Sequence, residues 1–215
     1  MNNALIFDID GTLWNACPSS AKGFNKGLET LGISKRISAE GVENVAGNPY
    51  EACIEILLPG FLRQYPTLLE VLSEFEEEVI KQDGGVFYDG AILGIQKLSK
   101  NFPIFIISNC QEWYLELFLN QSGLKPFLQD YDCFGRSQAS KNTMIKNMTK
   151  KYSLKNPVYI GDTAGDEKAC KLSKTDFIHV SYGFGKPENK CISFSSFREL
   201  FKYLKNRSRE RKNCI

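Results

Sequence analysis

The sequence contains very little histidine: His179 is the single one among 215 residues. It lies in the apolar run from Phe177 to Val180, which predicts a strand, so we expect a structural or solvent-exposed histidine. One histidine cannot supply a cluster of imidazole metal ligands, and no G-x-S-x-G sequence supports a Ser-His-Asp hydrolase. Any chemistry must therefore depend on carboxylates, hydroxyls, lysine or a metal ion.

A cysteine framework is also missing. The chain has seven cysteines, and no two of them are spaced as C-x-x-C. The odd number and irregular spacing argue against both a zinc ribbon and a set of disulfides, so free thiols in a reducing compartment are expected. These residues are Cys17, Cys53, Cys110, Cys133, Cys170, Cys191 and Cys214.

Long apolar segments and a strong net charge are absent too. No apolar run approaches the roughly 20 residues that span a bilayer, and the N-terminus lacks the pattern of a signal peptide. The net charge is +2, which indicates no general attraction to nucleic acid. These features predict a cytoplasmic protein, monomeric or weakly dimeric, without a membrane or nucleic-acid partner. The basic segment 205–212 is expected to be a frayed, solvated terminus.

What the sequence does contain is an alternation of short apolar runs and helical patterns after Asp83, which is typical of a parallel sheet with helices on both faces. Between the first apolar run and Asp83 only helical patterns occur. We therefore predict an α/β fold, a Rossmann-like doubly wound sheet formed by residues 1–15 and 85–215, with an inserted all-helical cap at 16–84. The predicted strands cover residues 4–7, 103–107, 132–134, 158–160 and 177–180, and the closing helix covers 197–204.

Two carboxylates follow the first predicted strand. The buried run Ala4 to Phe7 ends in Asp8-Ile9-Asp10-Gly11, and residues at i and i+2 lie on the same side of an extended chain. Gly11 allows a sharp turn and a close approach to a ligand. In open α/β sheets, ligands bind beyond the carboxyl ends of the strands. An ordinary acidic turn is the alternative for this stretch taken alone.

Other polar residues occur at later strand ends or in adjoining loops. Ser108 and Asn109 follow one strand, Asp162 and Asp166 follow another, and Lys141 begins a helix between them. Each has an ordinary interpretation as a helix cap or a surface residue. Together they place four acids, a hydroxyl and a lysine at one edge of the sheet. Converging carboxylates need a cation, and oxygen ligands favour Mg²⁺, so a magnesium and phosphoryl site is expected.

The acids, the serine and the lysine at these strand ends and loops, in their order along the chain, resemble the motifs of the haloacid dehalogenase superfamily. The resemblance spans the whole chain. The helical insert after the first motif is similar to the cap of the branch that includes phosphoglycolate phosphatase and β-phosphoglucomutase. The motifs are Asp8-x-Asp10-Gly11-Thr12, Ser108, Lys141 and Gly161-Asp162-x-x-x-Asp166, with Tyr88-x-Gly90 and Tyr182-Gly183-Phe184-Gly185 as further similarities.

The resemblance implies a role for each motif. Asp8 would attack phosphorus and form an aspartyl-phosphate, while Asp10 would protonate the leaving oxygen and then activate water. The implied ligands of Mg²⁺ are Asp8, the backbone carbonyl of Asp10, and Asp162, with Asp166 in support. The residues implied to bind the phosphoryl group are Ser108, Asn109 and Lys141, and Thr12 would orient the loop.

The sequence differs from phosphoglycolate phosphatases at positions that bear on substrate specificity. Asn15 stands where phosphoglycolate phosphatases often have Asp, and the loop containing Asn48 and Tyr50 has no nearby arginine to pair with a substrate carboxylate. These two residues are the candidates for contact with the leaving group, unless the loop is merely a turn between helices. We expect a phosphatase acting on a small phosphorylated metabolite. The alternatives are a phosphomutase and a catalytically degenerate binding or regulatory protein, whereas a dehalogenase would need neither Asp10 nor a metal.

Overall fold

The computed structural model describes residues 4–212 and contains a six-stranded sheet with the strand order β5-β4-β1-β6-β7-β8. All five pairings in this sheet are parallel, which confirms the α/β, Rossmann-like prediction. A separate antiparallel pair joins β2 to β3. The strands are β1 (Leu5–Phe7), β2 (Trp14–Asn15), β3 (Val86–Phe87), β4 (Ile104–Ser108), β5 (Asp130–Cys133), β6 (Val158–Gly161), β7 (Asp176–Val180) and β8 (Ile192–Phe194).

The central strand β1 is buried on both faces, as its continuous apolar run predicts. Leu5 and Phe7 pack into one apolar cluster and Ile6 into the cluster on the opposite face, because side chains alternate along a strand. The strands predicted within 4–180 all occur. The edge strand β8 and the β2–β3 pair were not predicted, because they are only two or three residues long and β8 is largely exposed.

Helices cover both faces of the sheet. Residues of α6, α7 and α11 pack into the cluster that contains Phe7, and residues of α9 and α10 pack into the cluster that contains Ile6. None of the helices within residues 4–212 is long and apolar enough to cross a membrane. The helices of this part are α6 (Ala91–Leu98), α7 (Glu112–Ser122), α8 (Phe134–Ser137), α9 (Lys141–Lys151), α10 (Ala164–Ser173) and α11 (Phe197–Lys212).

The C-terminal helix corrects one sequence prediction. Segment 205–212 was expected to fray, but α11 continues without interruption to Lys212. Lysine and arginine are good helix formers, so the composition of this segment is compatible with a helix. The six cysteines within the described residues are free thiols, as expected; Cys214 lies outside the described residues.

Residues 17–83 form a helical insert between β2 and β3. The insert has an apolar cluster of its own, centred on residues such as Phe24, Leu28 and Leu72. Ser38 caps the second helix by accepting a hydrogen bond of 3.0 Å from the Gly41 N–H. The domain limits at 16–84 stay a prediction. The helices of the insert are α1 (Cys17–Thr30), α2 (Ala39–Val45), α3 (Tyr50–Leu57), α4 (Phe61–Gln64) and α5 (Leu68–Asp83).

Candidate active site

The loop after β1 turns tightly and packs against the loop after β6. The Ile9 carbonyl accepts hydrogen bonds from the N–H groups of Thr12, Leu13 and Trp14 at 2.8–3.2 Å. Gly11 has a φ of +70°, and a Cβ at this position would lie 2.1 Å from Asp162 Oδ2. Any larger residue would therefore push the two loops apart, so glycine is needed both for the turn and for the close approach.

Three of the predicted acids meet at the carboxyl ends of β1 and β6. Asp8, Asp162 and Asp166 are buried, and each contributes a carboxylate oxygen to a group in which all three oxygens lie within 4.8 Å of one another. Lys141, 5% exposed, lies against this group. Its Nζ donates to Asp8 Oδ2 at 2.9 Å and to Asp166 Oδ1 at 2.5 Å. The structure thus brings together residues up to 158 positions apart in the chain.

Asp8 and Asp162 lack sufficient countercharge from the protein. Burial raises the pKa of Asp8, and the charge of Lys141 lowers it only in part. Burial also raises the pKa of Asp162, and the neighbouring charges of Asp166 and Asp8 raise it further. Asp8 Oδ1 is buried and has no hydrogen-bond partner within the part of the chain that the structure describes. Both carboxylates are therefore placed where a cation would relieve an unfavourable charge distribution.

Asp166 differs from these two because protein groups occupy both of its oxygens. Oδ1 accepts from Lys141, while Oδ2 accepts from Thr163 N–H at 3.0 Å, Thr163 Oγ1 at 2.8 Å and Asp162 N–H at 3.2 Å. Thr163 also caps α10, so the same bonds begin the helix. Burial opposes ionisation, but Lys141 and these donors lower the pKa of Asp166. Asp166 is thus a fixed anion that holds Lys141 and the loop.

Asp162 is oriented by contacts from three directions. Its Oδ2 accepts from the Phe184 N–H at 2.7 Å, and its Oδ1 accepts from Thr12 Oγ1 at 3.4 Å. Its backbone carbonyl accepts from His179 Nε2 at 3.2 Å, and His179 Nδ1 lies 2.8 Å from Ser193 Oγ. His179 is buried, so of the two predicted histidine environments the structural one is found. Thr12 contacts the opposite loop, in keeping with its predicted orienting role.

Asp10 has a different partner, which the sequence does not reveal. The Tyr114 hydroxyl on α7 donates a short hydrogen bond to Asp10 Oδ1. Burial raises the pKa of Asp10 to about 7, against the lowering effect of Tyr114. A carboxyl with a pKa near neutrality exchanges a proton readily at physiological pH. Asp10 therefore suits proton transfer, and its environment differs from that of Asp8 two residues earlier.

Ser108 and Asn109 lie at the end of β4, beside Asp8 in the same cavity. Ser108 is buried. Asn109 Nδ2 donates to the Gly47 carbonyl of the insert at 2.7 Å, whereas its Oδ1 is buried without a partner. Its amide thus joins the sheet to the helical insert. Binding of phosphoryl oxygens by Asn109 stays a prediction.

The cavity extends from the acids into the helical insert and has a volume of about 80 Å³. Asn48 and Tyr50 line it, and their contact with a leaving group stays a prediction. Asn48 Nδ2 donates to the Val45 carbonyl at 2.9 Å, which stabilises the turn between α2 and α3. The loop is therefore both a turn and a wall of the cavity. Glu76 of α5 also lines it, although no sequence pattern identifies this residue.

The carboxylate oxygens of Asp8 and Asp162 have the chemistry of a Mg²⁺ site. Asp8 offers a buried oxygen without a partner, and Asp8 and Asp162 both carry raised pKa values. All nearby acidic ligands supply oxygen, which Mg²⁺ prefers. The residues fit such an ion, with Asp8 and Asp162 as side-chain ligands. Asp166 is already saturated by Lys141 and Thr163, in keeping with a supporting role.

Comparisons with known proteins agree with this arrangement. The chain is 22% identical over 218 aligned residues to the phosphoglycolate phosphatase of Photobacterium profundum, covering 94% of this chain and 95% of that protein. It is 24% identical to that of Aquifex aeolicus, covering 94% and 96%. A Haemophilus somnus structure described as a predicted phosphoglycolate phosphatase superposes with a TM-score of 0.80 at 16% identity, covering 94% and 97%, which shows the shared fold.

The decisive comparison is with a family model. The model of the haloacid dehalogenase-like hydrolases matches residues 5–180, a stretch that includes the helical insert and all four acids of the site. The match begins at β1 and ends at β7, so it covers most of the sheet. The sequence resemblance is confirmed, and this chain belongs to the haloacid dehalogenase-like hydrolase family.

Proposed function

We propose that this protein is a Mg²⁺-dependent phosphatase that hydrolyses a small phosphomonoester through an aspartyl-phosphate intermediate. The observation that carries the proposal is the pairing of two different carboxyls at one strand end. Asp8 is buried against Lys141 with one oxygen free, whereas Asp10 has a pKa of about 7 and a hydroxyl partner. The first arrangement suits a nucleophile and the second suits an acid and base.

In the first step, a carboxylate oxygen of Asp8 forms a bond to phosphorus as the bond from phosphorus to the leaving oxygen breaks. Asp10 transfers its proton to that leaving oxygen, so an alcohol departs. Lys141 and Ser108 are placed beside Asp8 to bind the phosphoryl oxygens and to stabilise the charge of the transition state.

In the second step, Asp10 removes a proton from water, and the water oxygen bonds to phosphorus. The bond between phosphorus and Asp8 breaks, which releases phosphate and restores both carboxyls. Asp8, Asp162 and the carbonyl of Asp10 would hold Mg²⁺, which neutralises charge on the phosphoryl group when it is bound. Asp166 keeps Lys141 in place throughout.

We also propose that the helical insert acts as a cap over this reaction. Gly47 and Asn109 connect the insert to the end of β4 by one hydrogen bond, and the chain returns to the sheet through Gly84 and Gly85. Gly84 has a φ of +72°, and a Cβ on Gly85 would lie 2.7 Å from the Trp14 ring. Such a connection can absorb backbone rotation, and closure would exclude water during the first step.

The main enzymatic alternative is a phosphomutase, which would use the same two acids but pass the phosphoryl group to a sugar hydroxyl. The names of the two relatives in Photobacterium and Aquifex support hydrolysis instead. A degenerate binding protein is disfavoured because every implied catalytic side chain is present. The carboxylate oxygens of Asp8, Asp162 and Asp166 lie within 4.8 Å of one another, and Lys141 donates to two of these acids.

Phosphate release from p-nitrophenyl phosphate tests the proposed function directly. We expect turnover with Mg²⁺ and at least about a hundredfold less after removal of divalent cations with EDTA, since the carboxylates then repel the substrate. Restoration by added Mg²⁺ is the control for irreversible damage. Phosphate transfer to an added sugar phosphate without net hydrolysis would favour the mutase, and the absence of all turnover would contradict catalysis.

Asp10→Asn is expected to separate the two steps. Asparagine cannot transfer a proton, but p-nitrophenolate leaves without one, so Asp8 should still be phosphorylated while hydrolysis slows by roughly 10²- to 10⁴-fold. Rapid-quench trapping should then show nearly one phosphoryl group per protein. Unchanged steady-state turnover without accumulation of phosphoprotein would remove Asp10 from this role.

A further inference from the structure

A buried carboxyl in the helical insert has no function in the proposed reaction. Glu76 lies in the middle of α5, is 6% exposed and lines the same cavity as Asp8 and Asp10. Charged residues are rarely buried unless they are paired. This glutamate is therefore the strongest candidate for a residue that meets the substrate rather than the reacting phosphorus.

A close contact between two helices fixes the position of Glu76. A Cβ on Gly23 of α1 would lie 2.6 Å from Glu76 Cα, so the helices approach closely at this point. Ser20, about one turn earlier on α1, interacts with the Glu76 carboxyl through its side chain. The carboxyl is thus held by a rigid helix pair and not by a mobile loop.

No cation among the described side chains pairs with this carboxyl. Burial raises the pKa of Glu76 to about 8, only partly offset by Ser20, and the charge of Asp10 raises it further. None of the described side chains that line the cavity is lysine, arginine or histidine. Likewise, no ion pair joins Glu76 to any described basic side chain within 4.0 Å. A buried acid without a cation is costly, and a ligand that donates hydrogen bonds would offset this cost.

Two further polar groups of residues that line the cavity are buried. Among residues 4–212, the Tyr50 hydroxyl and Asn109 Oδ1 have no hydrogen-bond partner of acceptable geometry. Burial raises the pKa of the Tyr50 hydroxyl, and the charge of Glu76 raises it further, so Tyr50 and Glu76 lie near each other. The cavity therefore offers a carboxyl, a phenol and an amide oxygen, all of which accept hydrogen bonds.

Acidic side chains also surround Cys17, which lines the same cavity. After burial, the charges of Asp10, Glu43 and Glu76 are the largest causes that raise the pKa of the Cys17 thiol. Asn15, which also follows the first motif, donates from Nδ2 to Glu43 Oε1 at 2.8 Å and so provides a neutral partner there. An anionic leaving group entering the cavity would find no cation among the described side chains that line it.

We propose that the cavity selects phosphomonoesters whose leaving group donates hydrogen bonds through a hydroxyl or an ammonium group, with Glu76 as the accepting residue, and that it rejects leaving groups that carry a carboxylate. This inference rests on the proposed phosphatase function and names the substrate class of that site. Glu76 acts on the leaving group, whereas Ser108 and Lys141 act on the phosphoryl group that all substrates share.

Three phosphomonoesters of nearly equal size test the inference: 2-hydroxyethyl phosphate, 2-aminoethyl phosphate and carboxymethyl phosphate. The kcat/KM of each is measured, together with its Ki against p-nitrophenyl phosphate, so that a compound that binds without turnover is still ranked. We expect carboxymethyl phosphate to be at least about tenfold poorer than the better of the other two. The better of the two donors identifies the hydroxyl or the ammonium as the recognised group.

Two substitutions then separate charge from hydrogen bonding. Glu76 is ionised above about pH 8, and in that range Glu76→Gln keeps an accepting oxygen but removes the negative charge, so it should reduce discrimination against carboxymethyl phosphate by about tenfold. Glu76→Leu removes the acceptor as well, so it should also weaken the preferred donor substrate. Glu74→Gln is the matched control, because Glu74 is exposed on the same helix, and it should leave the ranking unchanged.

The outcomes distinguish failure of the inference from failure of the function. An active enzyme that prefers carboxymethyl phosphate, or whose ranking is unaltered in both Glu76 variants, would overturn the inference alone. An equal loss on all substrates, accompanied by a lower unfolding temperature, would give Glu76 a purely structural role and also overturn it. Absence of activity on every phosphomonoester, p-nitrophenyl phosphate included, would remove the proposed function and the inference with it.

Discussion

Asp8→Asn is expected to reduce turnover by on the order of 10⁴- to 10⁶-fold, the range seen when a covalent nucleophile is removed. The amide of asparagine cannot form the acyl phosphate, although it has the same shape as the carboxyl. Its oxygen can still accept the hydrogen bond that Lys141 donates at 2.9 Å. The expected result is therefore an inactive, folded protein, measured by phosphate release and by circular dichroism.

The matched control for this change is Asp89→Asn. Asp89 pairs with Arg198 on the surface, and both side chains are more than 70% exposed. Such a pair contributes little to stability, so the variant should keep wild-type turnover and unfold within about 1 kcal/mol of wild type. If Asp8→Asn retained Mg²⁺-dependent turnover comparable to this control, Asp8 could not be the nucleophile.

Lys141→Met should damage both stability and activity. Lys141 bridges Asp8 and Asp166, and their charges raise its pKa despite burial, so it is charged throughout the neutral range. Its removal leaves two buried carboxylates without their cation, which typically costs about 3–5 kcal/mol. Loss of one phosphoryl-binding donor should also lower kcat by about 10²- to 10³-fold.

Urea denaturation in EDTA measures the first effect, and phosphate release in saturating Mg²⁺ measures the second. Lys146→Met is the control, because Lys146 lies on the same helix and is exposed. It should change the free energy of unfolding by no more than about 0.5 kcal/mol. A Lys141→Met variant as stable and active as this control would show that the two contacts of Lys141 carry little energy.

The acids of the candidate site could be predicted from sequence because each lies at the end of a recognisable strand. The apolar runs before Asp8, Ser108 and Asp162 identify buried strands, and parallel strands bring their carboxyl ends to one edge. The positions of these residues in the chain therefore carry information about their positions in space. Lys141 belongs to this set through the family resemblance, and the structure places it 2.9 Å from Asp8.

The edge strand and the length of the last helix could not be predicted in the same way. Residues Ile192–Phe194 are short and mostly exposed, so they carry no apolar alternation. Their pairing with β7 supplies the structure that the local sequence does not specify. The basic segment after Leu204 has a composition compatible with both a disordered terminus and a helix. It is helical because the helix that begins at Phe197 continues through it to Lys212.

The sequence by itself determined the α/β class, the helical insert and the acids of the site, because these depend on local patterns and on the order of elements. Only the tertiary structure decided that Tyr114 holds Asp10, that His179 supports the Asp162 carbonyl and that Glu76 enters the cavity. These contacts join residues on different elements, and for Tyr114 and Asp10 the separation is 104 positions. The contact of His179 depends on the pairing of β7 with β6, whereas the positions of Tyr114 and Glu76 depend on the packing of α7 and α5. The burial that this packing creates raises the pKa of Asp10 and Glu76.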